Sequence, residues 1–126
     1  MKIYLLIIIA FTFTACSNTT KMESKFESGG VEEVYFVLKS DKTIKEGLYK
    51  RYSEDNKLIE EANYQNGVLE GTRTLYFPSG KIEVVENFKN NNFDGDYESY
   101  YASGNINTKG KYADNIMVEP WTYYYD

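Results

Sequence analysis

The stretch FPSGKIEVVENFKNNNFDG, Phe77–Gly95, decides the reading of this chain. Phe77-Pro78-Ser79-Gly80-Lys81 suits a tight hairpin loop. The proline presets the first turn residue, and the glycine takes a left-handed position that a β-carbon resists. Asn90-Asn91 suits a two-residue primed turn, because asparagine tolerates positive φ better than most side chains. Between the two turns Ile82, Val84, Glu86 and Phe88 alternate with Lys81, Glu83, Val85 and Asn87. That is the period of a strand with one mostly apolar face, and Glu86 is the exception on it.

The same pattern recurs on both sides without gaps. Glu46–Leu69 reads EGLYKRYSEDNKLIEEANYQNGVL, Glu70–Phe93 reads EGTRTLYFPSGKIEVVENFKNNNF, and Asp94–Met117 reads DGDYESYYASGNINTKGKYADNIM. Val118–Asp126, VEPWTYYYD, opens a fourth, partial copy. A period of twenty-four residues marks a repeat architecture. Its columns hold Gly47, Gly71 and Gly95; Tyr52, Tyr76, Tyr100 and Tyr124; Leu58, Ile82 and Ile106; Tyr64, Phe88 and Tyr112; and Leu69, Phe93 and Met117. Turns come about every twelve residues, so each copy is two strands. The chain is therefore predicted to be all-β, an antiparallel meander of stacked hairpins with about seven or eight strands over residues 31–126. Val31–Leu38 is expected to supply the first strand as an N-terminal cap.

These columns carry a resemblance. Tyr76-Phe77-Pro78-Ser79-Gly80-Lys81 and Tyr64-Gln65-Asn66-Gly67-Val68-Leu69-Glu70-Gly71 resemble the MORN-repeat variant of bacterial proteins, over Glu46–Asp126. Many members of that family carry an antitoxin label, so the resemblance implies either a binding repeat or an antitoxin or immunity-type protein. Asn91 and Asn115 replace the second turn glycine, and Glu119 replaces the column glycine in the last copy.

The N-terminus reads differently. In MKIYLLIIIAFTFTAC, Lys2 precedes an apolar run too short to span a membrane, and small residues lead to Cys16. This is the pattern of a secretory signal. Phe13-Thr14-Ala15-Cys16 resembles a bacterial lipobox, which makes residues 1–15 a signal peptide and Cys16 the acylated first residue of a membrane-anchored lipoprotein. The alternative is an ordinary signal peptide, or an uncleaved anchor, with an incidental cysteine. Ser17–Gly30, polar and ending in two glycines, reads as a flexible tether, so that residues 16–30 link the lipid to the sheet. Localisation follows as the cell envelope, facing the periplasm or exterior.

Charge and composition narrow the function. The whole chain has 14 Lys+Arg against 19 Asp+Glu, a net charge of −5, and no histidine. An acidic body argues against nucleic acid and anionic headgroups, so the lipid alone would hold it at the membrane. Without histidine, Ser-His and Cys-His pairs and the commonest metal ligand are absent. No cofactor or metal is expected. Glu32-Glu33, Glu60-Glu61 and Asp94/Asp96 leave a carboxylate-based envelope enzyme or a calcium site as alternatives, weighed against solvated strand faces and turn residues.

The tyrosines favour binding. Most should be cross-strand ladder residues. A single sheet of hairpins has no second layer, however, so some aromatic surface should stay exposed, and such patches mark binding sites. The strand Trp121–Tyr125 is the candidate partner surface: Trp121, Tyr123 and Tyr125, with Tyr97 and Tyr101 of the preceding copy beneath them. The alternative is that this segment caps the sheet. The function expected is a membrane-tethered, non-catalytic protein-binding or scaffolding module whose partner is an envelope protein that the sequence does not name.

Overall fold

The computed structural model describes residues 17–126. They form one sheet of eleven strands and, among the described residues, no helix. In chain order these are β1 (Thr19–Lys25), β2 (Val31–Leu38), β3 (Lys45–Tyr52), β4 (Leu58–Gln65), β5 (Val68–Leu69), β6 (Gly71–Tyr76), β7 (Ile82–Lys89), β8 (Asn92–Phe93), β9 (Gly95–Tyr100), β10 (Ile106–Ala113) and β11 (Ile116–Tyr123). The path β1-β2-β3-β4-β6-β7-β9-β10-β11 is a meander in which sequence neighbours are sheet neighbours. The signal segment and Cys16 lie outside the described residues.

Eleven strands stand where seven or eight were expected. Part of the excess is a repeated break. The pair Tyr64↔Leu69 is followed by Glu61↔Thr74, which leaves two extra residues around Glu70-Gly71. The same slip recurs at Asp94-Gly95, between Phe88↔Phe93 and Val85↔Glu98. It recurs before Tyr49, between Val37↔Lys45 and Tyr35↔Tyr49, and again after Val118 on β11. Such a bulge bends and twists the strand. It explains the glycine column: Gly71 sits at φ 81°, where a β-carbon would be strained.

The other part of the excess is a correction. Ser17–Gly30 is not a flexible tether, because Thr19–Lys25 pairs with β2 along its whole length. Its hairpin loop is built like those of the repeats. Phe26 N–H donates to Gly30 O at 2.9 Å and Gly29 N–H to Phe26 O at 2.9 Å. Phe77 N–H donates to Lys81 O at 2.9 Å and Gly80 N–H to Phe77 O at 2.8 Å in the same way. Phe26-Glu27-Ser28-Gly29-Gly30 thus repeats the type of Phe77-Pro78-Ser79-Gly80-Lys81, three residues out of phase. The offset arises in the next turn. There a five-residue loop, closed by Leu38 N–H to Ile44 O at 3.0 Å, replaces the two-residue turn. Val31–Leu38 is accordingly the second strand, and β1 is the N-terminal edge.

The turns otherwise follow the expected chemistry. Gly80 lies at φ 85° and Asn56 at 57° in equivalent loops. Asn66-Gly67, Asn90-Asn91 and Asp114-Asn115 all have positive φ at both positions, the signature of the primed hairpin turn. The acidic residue before each column glycine caps the next such turn. Glu46 accepts from Asn66 N–H at 2.7 Å and Glu70 from Asn90 N–H at 2.9 Å. Asn91 and Asn115 also reach back one repeat, accepting from Leu69 N–H at 2.7 Å and Phe93 N–H at 2.8 Å. Replacing the turn glycine with asparagine therefore adds an inter-repeat bond.

The sheet has one buried side. Val37, Tyr49, Ala62, Leu69, Glu86, Phe88 and Thr108 are the buried residues, and their strand parity places all of them on the same face. Tyr35, Tyr64 and Phe93 pack against the apolar members. The opposite face carries pairs such as Lys50–Glu61 and Lys109–Glu98.

Candidate functional site

On the buried face, two tyrosines of one repeat column have a small neighbour on the strand that follows. Tyr49 lies opposite Ala62, and Tyr97 opposite Gly110. Arg73 occupies the same column as Tyr49 and Tyr97, and its neighbour is not small but Glu86. The exception on the apolar face is thus matched within the chain. Arg73 donates to Glu86 through Nε at 2.8 Å and Nη2 at 2.6 Å, and its guanidinium stacks over the Phe88 ring at 4.9 Å. Arg51 donates to Glu60 through Nη2 at 2.9 Å, and Arg73 Nη1 approaches the other Glu60 oxygen at 3.9 Å. Glu33 accepts from the Tyr49 hydroxyl at 2.6 Å. Burial first, and then the Glu33 bond, raise the Tyr49 phenol far above the ordinary tyrosine value. A row of alternating charge therefore crosses β2, β3, β4, β6 and β7 and gives way to aromatics at β9.

Four of the six carboxylates singled out from the sequence have partners of their own. Glu33 and Glu60 are held in this row, Glu61 pairs with Lys50 at 3.0 Å, and Asp94 faces Asp114 N–H at 3.4 Å as a turn cap. Among the described residues no group of three or more His, Cys, Asp or Glu is placed to hold a metal ion. A shallow cleft of about 320 Å³ lies between β9, β10 and β11, with Glu98, Lys109, Lys111 and Glu119 in its wall. Lys109 donates to Glu98 at 2.7 Å, and this bond, with one from Tyr100, holds the Glu98 carboxyl below its ordinary range.

The aromatic end of the row leads to the C-terminal edge. Phe88, Phe93, Tyr112, Trp121 and Tyr97 form a chain of ring contacts, with centroids 4.5 Å apart for Phe88–Phe93 and 5.0 Å for both Phe93–Tyr112 and Tyr112–Trp121. Tyr97 and Trp121 meet at 5.2 Å. Gly110 makes room for them: a β-carbon there would lie 2.2 Å from Trp121 Cδ2. Burial raises the Tyr97 phenol, so the ring stays neutral.

The five residues named from the sequence therefore divide. Trp121 and Tyr97 are stacked together on the buried face. Tyr123 and Tyr125 stand in solvent, 68 % and 99 % exposed. Tyr101 is elsewhere: its hydroxyl donates to Tyr124 O at 2.7 Å and ties the tail to the hairpin loop. Asp126 is tied there too, accepting from Ser103 and from Asn105 Nδ2 at 3.2 Å. Sequence reasoning missed Ile116 and Met117, which are both exposed. The signal was present for Met117, which shares a column with the buried Leu69 and, among the described residues, lies on the edge strand of the sheet.

The edge backbone is open. Tyr124 N–H donates to Asn107 O at 2.8 Å, and Thr122 lies opposite Lys109 in the same register. Hydrogen-bonding pairs alternate along an antiparallel ladder. The N–H and C=O groups of Trp121 and Tyr123 consequently point away from β10. Glu119, at φ 64°, takes the bulge position that glycine holds in the other copies.

A family model described as the MORN repeat variant matches residues 45–66, 69–90 and 93–114. The three segments start one period apart, each just ahead of a bulge. Comparison with curated proteins and with solved structures gave no match.

Proposed function

The chain belongs to the MORN repeat variant family, and on that premise we propose that it is a membrane-tethered, non-catalytic protein-binding or scaffolding module of the bacterial cell envelope. One observation carries the binding part. Among the described residues, five of the seven exposed large apolar side chains, Ile116, Met117, Tyr123, Tyr124 and Tyr125, fall on β11 and the tail that follows it. Exposed apolar area concentrated along one edge strand and its tail favours an interaction edge, and tyrosine is among the residues that dominate binding energy. The tether rests on the sequence Phe13-Thr14-Ala15-Cys16 and places a lipid at Cys16.

Two measurements test this reading. Metabolic labelling with a fatty-acid analogue marks the wild type and spares Cys16→Ser; equal labelling removes the tether. Capture of an envelope partner by the full chain is lost in the double variant Tyr123→Ser, Tyr125→Ser, while its thermal midpoint stays within 1–2 °C of wild type, about the shift expected for surface changes. Capture that survives in this variant removes the surface from the proposal.

A further inference from the structure

We infer that the C-terminal edge takes its partner as an added β-strand: an extended segment running antiparallel to β11 that places glycine or alanine opposite Trp121. This inference rests on the binding reading above and specifies its chemistry.

Each odd member of the meander, β3, β6 and β9, is followed by a strand whose residues answer it position by position. For β9 and β10 the answers are Thr108 to Ser99, Gly110 to Tyr97 and Tyr112 to Gly95. For β3 and β4 they are Glu60 to Arg51, Ala62 to Tyr49 and Tyr64 to Gly47. Where the column residue is aromatic, the answer is small; where it is Arg73, the answer is Glu86. The rule belongs to this column and to the following strand: Tyr35 stands directly opposite Tyr49 on the preceding strand, and it is on the side of Ala62 and Gly110 that the small residue stands.

β11 presents the same columns one period later. Glu119, Trp121 and Tyr123 stand where Gly95, Tyr97 and Ser99 stand in β9. Continuing the register, a strand on the free edge would meet Tyr123, Trp121 and Glu119 with a sequence of the form Thr/Val-x-Gly/Ala-x-Tyr/Phe. Its aromatic residue would come down beside Met117, as Tyr112 packs beside Phe93 at 5.0 Å. Met117 is 52 % exposed although its column-mate Leu69 is 8 % exposed, so the position lacks the cover that an added strand provides.

The backbone permits the addition. Trp121 and Tyr123 direct their N–H and C=O groups outward, which is the donor and acceptor set that strand addition uses. Pro120 lies in the bulge beside Glu119, before those groups, and removes neither of them. Specificity then comes from one side chain. A bulky residue opposite Trp121 would be driven into an indole already pressed onto Gly110 from the other side.

The chain supplies its own probe. The peptide INTKGKYA, a copy of Ile106–Ala113, has glycine at the required place, and its Gly→Val form keeps the same charge. Trp121 is the sole tryptophan, so its emission reports the edge directly. With the full chain in neutral detergent, titration of the glycine peptide should blue-shift that emission saturably, and the valine form should bind at least tenfold more weakly. Tyr123→Pro should abolish the response with the far-ultraviolet circular dichroism unchanged, because it removes an outward N–H and no internal one. Equal binding of the two peptides, an unaltered response in Tyr123→Pro, or no response at all overturns strand addition. Sedimentation showing a dimer that the peptide cannot dissociate overturns it as well, since a second copy then holds the edge. If strand addition fails yet capture still depends on Tyr123 and Tyr125, the binding reading stands alone; if capture is independent of them, that reading fails on its own account.

Discussion

The second copy and the last one carry the same columns but differ in what lies beyond them. Just ahead of the second copy Leu69 is buried in the cluster with Phe88, against which Phe93 packs, whereas just ahead of the last copy Met117, in the same column, is half exposed. Gly71 takes the bulge without strain, whereas Glu119 holds the same left-handed backbone with a side chain attached. Arg73 is held between Glu60 and Glu86, whereas Trp121 has a neighbour on one side only. In a linear repeat each unit is stabilised by its neighbours, so an end unit is weaker than an inner one for the same sequence. The contrast teaches that burial here is a property of position in the stack as much as of residue type.

The largest effect should come from the residue that attaches the end unit to the rest. Gly110→Val places a branched side chain where the indole now lies, since even a β-carbon would be 2.2 Å from Cδ2. Neither ring can withdraw without losing the Tyr97–Trp121 contact. We expect a loss of about 3 kcal/mol, the upper range for overpacking, read by urea unfolding together with a red shift of tryptophan emission. A loss below about 1 kcal/mol would mean that β11 is held by its ladder alone, and the end would then be no weaker than the ladder allows.

An inner row should answer to charge instead. Glu86 is 7 % exposed, and its removal in Glu86→Ala leaves the Arg73 guanidinium with only the 3.9 Å approach to Glu60. Breaking a fully buried pair costs several kcal/mol, but Arg73 keeps some contact with water, so the expected loss is about 2 kcal/mol. Glu61→Ala on the other face removes the half-exposed Lys50 pair and should cost about 0.5 kcal/mol or less. Chemical denaturation of both variants checks the ratio; equal losses would show that the two faces are alike in polarity.

Much of this contrast was legible in the sequence. The period, the two turn types and the apolar parity follow from glycine, asparagine and proline at fixed places, because each of those residues restricts or frees one backbone angle. The first hairpin was not legible as a repeat. Its loop FESGG has the right residues, but a three-residue insertion in the following turn moves it out of phase, and Thr19–Lys25 has only Met22 as a large apolar residue. Its strand forms because β2 offers a complete ladder, a tertiary cause that periodicity does not show. The charged row was half legible: Glu86 stood out on an apolar face, while its partner Arg73 lay a strand away. At the C-terminal edge the sequence names the aromatics but not their division into a stacked pair and two solvent-facing tyrosines, since that depends on which strand has a successor.

A comparably small effect, a gain and not a loss, makes the end copy resemble the inner ones. Glu119→Gly restores the column glycine at a position whose φ is 64°. A non-glycine residue in the left-handed region costs about 1–2 kcal/mol relative to glycine, and that strain is relieved. Against it stands the greater freedom of glycine in the unfolded chain, about 0.5–1 kcal/mol. The Glu119 carboxylate contributes little that would be lost, because it is 4.0 Å from Lys111 and both side chains are largely in water. The balance is a gain of about 0.5 kcal/mol, visible as a rise in thermal midpoint of a few degrees for a domain of this size. The opposite change, Gly71→Ala, has room for its methyl group but not the backbone angle, so it should destabilise the inner copy without any steric clash. If Glu119→Gly instead lowers the midpoint, the end bulge is not equivalent to the inner ones, and the register extended from β9–β10 to the free edge loses its basis.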